Sequence, residues 1–391
     1  MHIFKDSPEN TLVPALLPTY APYPFPLAGG SGERVSDEAG REYLDFYGGH
    51  CVVATGHSHP RVVAAVAEQA EALIFYSAAA RLPVRDAAAQ ALVGFAPQHM
   101  ASVFFCNSGA EANESALKVA AQLTGRSRFT AFKGSFHGRS LLALSVTDSP
   151  SLKQGLEPLL APVDFLPFAD LQALEAADFS RSAAVIVEPI QSMAGCTTAS
   201  KAWFQVLAAK CRREGTLLVF DEVQTGMGRL GVPFAADLYG VQPDFITLAK
   251  GIASGVPMGG LLMTADIARD LKSGDLGSTF GGGPLACAAL LATLAVIDDE
   301  KLMDNAAAQA TRIRADLADS VVTEVRGEGL LLGLKAGAHA AALKKKLQEQ
   351  RILVGGSSDP EVLRLMPPLT VSTQAVEALL AAIREFGGSR P

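Results

Sequence analysis

The sequence predicts an α/β protein: a mainly parallel sheet covered by helices on both faces, followed by a smaller α+β segment. Three observations carry this. From about residue 60, short apolar runs alternate with helix-length segments. Several runs are apolar throughout, as strands buried on both faces are. The chain has 391 residues, 49% hydrophobic and 19% charged, which is more than one core usually carries, so two domains are expected.

The elements follow in order. The first fifty residues are rich in Pro and Gly, and residues 32–45 read as a hairpin turning at Asp37 to Gly40. Residues 61–73 and 84–95 read as helices. Strands are expected at 102–106, 128–132, 183–187, 217–220, 245–249 and 260–263. The longest strongly apolar stretch, 284–297, is shorter than the ~20 residues of a membrane span and reads as a buried helix. Beyond residue 298, helices at 301–317, 338–350 and 373–385 alternate with strands near 322–326 and 330–334. The expected divisions are an N-terminal segment (1–45) joining the small domain, a large domain (46–285) and a small C-terminal domain (286–391).

Composition excludes several classes. The net charge is −7, with no basic stripe, which argues against nucleic acid. Lys344, Lys345 and Lys346 read as a solvated helix face. Five widely spaced cysteines without a CxxC pair argue against a disulfide framework or zinc site and for a reducing compartment. Residues 1–6 show no apolar signal core. A soluble, cytoplasmic protein is expected, with no membrane partner and no metal. His57 and His59 read as local hydrogen-bonding groups before Pro60, since no HExxH or carboxylate cluster accompanies them. Gly109 stands alone in its turn, so no GxGxxG fingerprint supports a dinucleotide fold.

In an open α/β sheet, ligands bind beyond the carboxyl ends of the strands. Five of the predicted strands, in succession, are followed by groups suited to chemistry. Ser108, Gly109 and Ala110 open a helix whose free N–H groups and dipole favour an anion. Phe136, His137 and Arg139 follow the second strand, and Glu188 the third. Asp221, Glu222, Val223 and Gln224 follow the fourth, where carboxylates need partners or solvent. Lys250 follows the fifth, where partial desolvation lowers an amine's pKa and suits it to Schiff-base chemistry.

Residues 107–113, 135–139, 188–191, 221–229 and 247–251, with the loop Gly277-Ser278-Thr279-Phe280-Gly281-Gly282, together resemble the ordered motifs of class III aminotransferases. The resemblance spans about residues 30–385. It implies a fold type I transferase with a seven-stranded sheet, a pyridoxal 5′-phosphate cofactor and a homodimer with shared active sites. It also implies roles. Lys250 forms the Schiff base and moves the substrate proton. Asp221 holds the pyridine nitrogen protonated, where an anion favours the cationic ring. Phe136 stacks on one ring face, beside His137, and Val223 packs the other. Gln224 reaches the phenolic oxygen. Glu188 belongs to the same site. Ser108, Gly109 and Ala110 hold the phosphate. Ser278 and Thr279 belong to the phosphate loop, Thr279 completing the neighbouring subunit's site.

Arg139 and Arg364 match two substrate-carboxylate positions, a role that suits the guanidinium fork. The pair, with residues 43–50, most resembles the acetylornithine and succinylornithine aminotransferase group of arginine biosynthesis. The implied substrates are an N-acyl-L-ornithine and 2-oxoglutarate. Many relatives read Gln-Gly-Glu where this chain reads Gln191-Ser192-Met193. Losing that glutamate deprives Arg364 of a switchable partner and disfavours free ornithine. Gly283 replaces a common Asn. The alternatives are another ω-aminotransferase (ornithine, acyl-lysine or 4-aminobutyrate), a glutamate-semialdehyde aminomutase, or a non-catalytic cofactor-binding regulator.

Overall fold

The structure is a computed structural model that describes residues 16–388 except 18, 21, 318 and 319. The segment 1–6, read as lacking a signal core, lies outside the described residues, as do the rest of 1–15 and 389–391.

Seven strands form the main sheet: β1 (Met100–Cys106), β2 (Arg128–Phe132), β3 (Val163–Leu166), β4 (Ser182–Val187), β5 (Leu217–Asp221), β6 (Phe245–Leu248) and β7 (Gly259–Thr264). Their order is β1-β7-β6-β5-β4-β2-β3. Only β7 runs antiparallel to its neighbours, while the pairings among β2 to β6 are parallel. All six positions of β4 are buried, as its continuous apolar run requires in a sheet covered on both faces. β3 escaped the sequence reading for a physical reason. It is a four-residue edge strand, only partly buried, with the exposed Asp164 bound to Arg128 at 2.8 Å.

The helix Gly109–Thr124 lies on the sheet through Ala112, Ala116, Leu117, Val119 and Ala120. Ser108 caps its start by accepting from the Glu111 N–H at 3.2 Å, and Gly125 ends it at φ 67°. On the other face, Trp203 sits edge-on to Phe132, Phe168 and Phe204 at centroid distances of 5.0–5.4 Å. It is 1% exposed. Trp203→Ala is expected to cost about 3–5 kcal/mol, as truncation of a fully packed aromatic does. Urea denaturation measures this, and a loss below about 1 kcal/mol would mean that the cluster repacks.

The apolar stretch near 284–297 forms the helix Pro284–Asp299, buried at ten positions and packed against helices Pro60–Ala72 and Pro83–Phe95. The expected boundary at residue 286 therefore falls inside its first turn. Gly283 is its N-cap and supplies no side-chain bond, a position where glycine costs little.

Further along, Glu324–Glu328, Leu331–Lys335 and Val362–Leu365 form an antiparallel sheet, with helices Leu302–Asp316, Ala340–Glu349 and Thr373–Gly388 beside it. The expected hairpin forms between Arg34–Asp37 and Glu42–Asp45. Asp37 organises its turn by accepting from the N–H groups of Ala39 and Arg41, both at 3.0 Å. That hairpin is extended by Leu27–Ser31 on one side and by Ile352–Leu353 on the other, so residues from both ends of the chain share one sheet. Among the described residues no helix is long and apolar enough to cross a membrane.

Candidate active site

The carboxyl ends of the parallel strands converge on a cavity of about 470 Å³. Residues 107–110 line it after β1, 136–139 after β2, Glu188 after β4, Asp221, Val223 and Gln224 at β5, and Lys250 after β6. Motifs more than 100 residues apart in sequence thus share one chamber.

Asp221 is the most elaborately held of these groups. Its Oδ2 accepts from His137 Nδ1 at 2.8 Å and Asn113 Nδ2 at 2.7 Å, and its Oδ1 accepts from the Val223 N–H at 3.1 Å. Asn113 is fixed in turn by Thr247 Oγ1, which donates to its Oδ1 at 2.6 Å. Asp221 is only 5% exposed, so this arrangement keeps a buried carboxylate satisfied while it faces the cavity. Asn113 received no role in the sequence reading. The available signal was an amide among alanines and Leu117 on the buried helix face, a place where a polar group needs a partner.

Neighbouring Glu222 points away and ties down the turn at 235–239. It accepts from Ala235 N at 2.7 Å, Ala236 N at 2.9 Å and Thr225 Oγ1 at 2.9 Å. Burial pushes its carboxyl from 4.5 up to about 7, against these hydrogen bonds. Because the folded value lies above the unfolded one, its contribution to stability is full below about 4.5 and is lost as pH rises through about 7. Glu222→Gln should therefore reduce the fall in unfolding free energy between pH 5 and pH 8, read from urea titrations. An unchanged fall would assign the titration elsewhere, Glu188 being the other candidate in that window.

Lys250 begins a short 3-10 turn with a left-handed φ of 47°, an uncommon conformation for a side-chain-bearing residue. Burial is the main cause that lowers its pKa from the usual lysine value, and the Arg364 charge adds to it. Cys51, Asp221 and Glu188 oppose the shift. Burial likewise pushes Glu188 up to about 7, although its Oε1 accepts from the Phe136 N–H at 2.8 Å. The site therefore holds a buried lysine of lowered pKa beside carboxylates.

At the start of the helix Gly109–Thr124, the N–H groups of Gly109 and Ala110 line the cavity. The approach is close: a Cβ on Gly109 would meet Val223 Cγ2 at 2.9 Å. The hydroxyl of Ser108 is already engaged with Glu111. Ser278 lies nearby, its Oγ accepting from Asn107 Nδ2 at 3.1 Å. Thr279 is exposed and does not line this chain's cavity.

The two arginines are placed differently. Arg139 lines the cavity, with Tyr20 6.0 Å from its guanidinium. Tyr20 was not singled out from the sequence, and nothing around it there marked it. Arg364 is 2% exposed and does not line the cavity directly. It donates from Nε to Gly356 O at 2.5 Å and from Nη1 to Ser192 Oγ at 2.9 Å. No carboxylate pairs with it among the described residues. Met193 uses its backbone instead, its carbonyl accepting from Ser358 N at 2.7 Å. His57 donates from Nε2 to Asp45 Oδ2 at 2.8 Å, and His59 accepts from Arg61 N. No cluster of metal-binding side chains occurs among the described residues.

Unpartnered groups test the fit of a pyridoxal phosphate. Among the described residues His137 Nε2 and Gln224 Oε1 are buried without a hydrogen-bond partner, and both residues line the cavity. An anion seat, a buried carboxylate, the apolar side chains of Phe136 and Val223 in the lining, and a desolvated lysine complete a set that fits the group.

A sheet of this order with such a site defines a cofactor-dependent transferase of amino groups, and comparison identifies the family. The class-III aminotransferase model matches residues 18–386, and the chain belongs to that family, whose members use pyridoxal phosphate. The acetylornithine aminotransferase of Methanopyrus kandleri is 41% identical over 94% of this chain and 95% of that protein. The acetylornithine aminotransferase of Streptomyces coelicolor is 43% identical over 94% and 92%. Among solved structures, the ornithine aminotransferase of Toxoplasma gondii ME49 matches with a TM-score of 0.89 at 32% identity, over 95% of this chain and 92% of that one.

Proposed function

We propose that this aminotransferase moves the terminal amino group of an N-acyl-L-ornithine to 2-oxoglutarate, giving the N-acylglutamate semialdehyde and glutamate. The observation that carries the reading is the convergence of Lys250 and Asp221 on a cavity that also presents Arg139. The resemblance to relatives named acetylornithine aminotransferases supplies the substrate class.

When bound, the cofactor supplies an electron sink for the carbanion formed at the amine-bearing carbon. Lys250 Nζ takes and returns the proton there, a role that a lysine of lowered pKa suits. Asp221 holds the proton on the pyridine nitrogen, with His137 and Asn113 fixing its Oδ2. The Gln224 amide reaches the phenolic oxygen, to which its NH₂ group would donate. Phe136 and Val223 confine the ring, and the N–H groups of Gly109 and Ala110, with Ser108 and Ser278, seat the phosphate. Arg139 and Arg364 orient carboxylates.

The proposal includes a homodimer, in which Thr279 serves the partner's phosphate site. The exposed Thr279 and the adjacent Ile74, Phe75, Tyr76 and Phe280, all exposed apolar side chains, support it. A monomer in sedimentation equilibrium would remove this part. The divisions at 1–45, 46–285 and 286–391, a cytoplasmic location and a place in arginine biosynthesis belong to the same proposal.

The test is a panel of acetylornithine, succinylornithine, ornithine, acyl-lysine and 4-aminobutyrate, with and without 2-oxoglutarate. An N-acylornithine should give the highest kcat/KM, and only with the acceptor. Preference for ornithine or 4-aminobutyrate would overturn the substrate, and turnover without the acceptor would point to a mutase.

A further inference from the structure

One feature of the cavity rim plays no part in the chemistry above. Tyr20, Tyr47 and His50 form an aromatic group near Lys250 and both substrate arginines. His50 lies 6.3 Å from Tyr20 and 5.1 Å from Tyr47, ring centroid to centroid, and Tyr47 Oη is hydrogen-bonded to His50 Nδ1. Tyr20 lines the cavity and covers Arg139; Val52, two residues beyond His50, also lines it.

The backbone is built to put His50 there. Residues 48–51 are all left-handed, with φ of 59°, 56°, 75° and 64°. The first two are glycines, and at Gly48 a Cβ would sit 2.4 Å from Met366 O. His50 and Cys51 adopt this region although they carry side chains, which persists only where the surroundings enforce it. The enforcement is visible: Asp45 accepts from Tyr47 N at 2.9 Å, Gly48 N at 2.9 Å and Gly49 N at 3.1 Å, and is braced by His57.

The electrostatic setting is one-sided. Burial is the main cause that pulls the His50 imidazole down to about 4, and the Lys250 and Arg364 side chains add to it. Its ring is therefore neutral at pH 7, and Tyr47 binds one of its nitrogens. Its Nε2 has no hydrogen-bond partner among the described residues, nor is it among the buried unpartnered atoms. Arg364 has no carboxylate beside it. A free ammonium brought beside His50 would meet the Arg364 guanidinium, which has no carboxylate paired to it among the described residues, whereas an amide would not meet that penalty.

We propose that His50, oriented by Tyr47, is a specificity-determining residue that donates from Nε2 to the carbonyl oxygen of the substrate's acylamide. With Tyr47 as the donor to Nδ1, the imidazole hydrogen sits on Nε2, which has no partner among the described residues. The chemical class selected is a neutral α-acylamino acid over a free α-amino acid. This rests on the N-acylornithine reading and deepens it.

The experiment compares the holoenzyme with His50→Ala, His50→Asn and Tyr47→Phe. It reads kcat/KM for N-acetyl-L-ornithine and for L-ornithine, and the Kd of the unreactive probe N-acetyl-L-norvaline by calorimetry. His50→Ala should lower kcat/KM for acetylornithine about 5- to 20-fold, mainly through KM, and weaken the probe by a similar factor, as loss of one hydrogen bond does. Ornithine turnover should change less than about twofold. His50→Asn keeps a donor and tolerates the left-handed backbone, so it should recover part of the acetylornithine preference. Tyr47→Phe should lose a smaller part. If His50→Ala or, should that variant not fold, the donorless His50→Leu leaves the acetylornithine-to-ornithine ratio and the probe's Kd unchanged, or slows both substrates equally, the inference is overturned. If the unmodified enzyme itself prefers ornithine, the N-acylornithine reading fails first, a result distinct from an unchanged ratio in the variants.

Discussion

Replacing Lys250 with alanine is expected to stop transamination while leaving the chain folded. The lysine follows β6 with one residue between, and its side chain faces the cavity beside Asp221 and Glu188. Among the described residues no other lysine lines that cavity, so none of them can take over its proton transfer. Loss of a positioned acid–base group alone costs about 10²- to 10⁴-fold in kcat, and loss of the covalent attachment adds to it. Borohydride should fix the cofactor to a single peptide of the unmodified enzyme, the one that contains Lys250, and to none in the variant. A labelled lysine elsewhere would overturn the mechanism. The φ of 47° at this position makes alanine no more strained than lysine, so thermal unfolding should change little.

Asp221→Asn should be the next most damaging change, for a different reason. The carboxylate collects three donors, from His137, Asn113 and Val223. An amide offers one oxygen and one NH₂ group, so a donor must turn towards either the Val223 N–H or the His137–Asn113 pair. Removing one aimed electrostatic group from an enclosed site costs about 10²- to 10³-fold in kcat. Leaving a buried donor unpaired costs about 1–3 kcal/mol of stability besides. The two effects separate in measurement: half-reaction rates report the first, and urea unfolding of the cofactor-free protein the second. Activity within tenfold of the unmodified enzyme would mean that Asp221 does not govern the ring nitrogen.

These two residues were legible in the sequence because burial on both faces makes a strand continuously apolar, so a charge at its end stands out. Lys250, Asp221 and Glu188 all have that signature. The helix at 109–124 was legible from its Ser108 cap and small first turn. What escaped depended on partners distant in sequence. β3 is short and half-exposed, so neither its length nor its pattern separates it from a loop. Asn113 gains meaning only beside Asp221, 108 positions on, and Tyr20 only beside Arg139. Arg364 was found by position in a motif, but its bonds to Ser192 and Gly356 come from two loops that no local pattern links.

The small sheet that joins residues 27–45 to Ile352–Leu353 has a consequence for biosynthesis. A ribosome delivers the first strands of that sheet some 300 residues before their partner. The main sheet, whose strands lie between residues 100 and 264, has its pairings available much earlier. The rim that hangs from the early strands, His50 and Val52 included, must wait for the final stretch of chain, since Leu44 and Phe46 bond to Arg351 and Leu353. A chain released before residue 350 would hold the lysine and the aspartate but would have no settled wall with which to choose among substrates. Selectivity is thus the last property this polypeptide acquires as it is made.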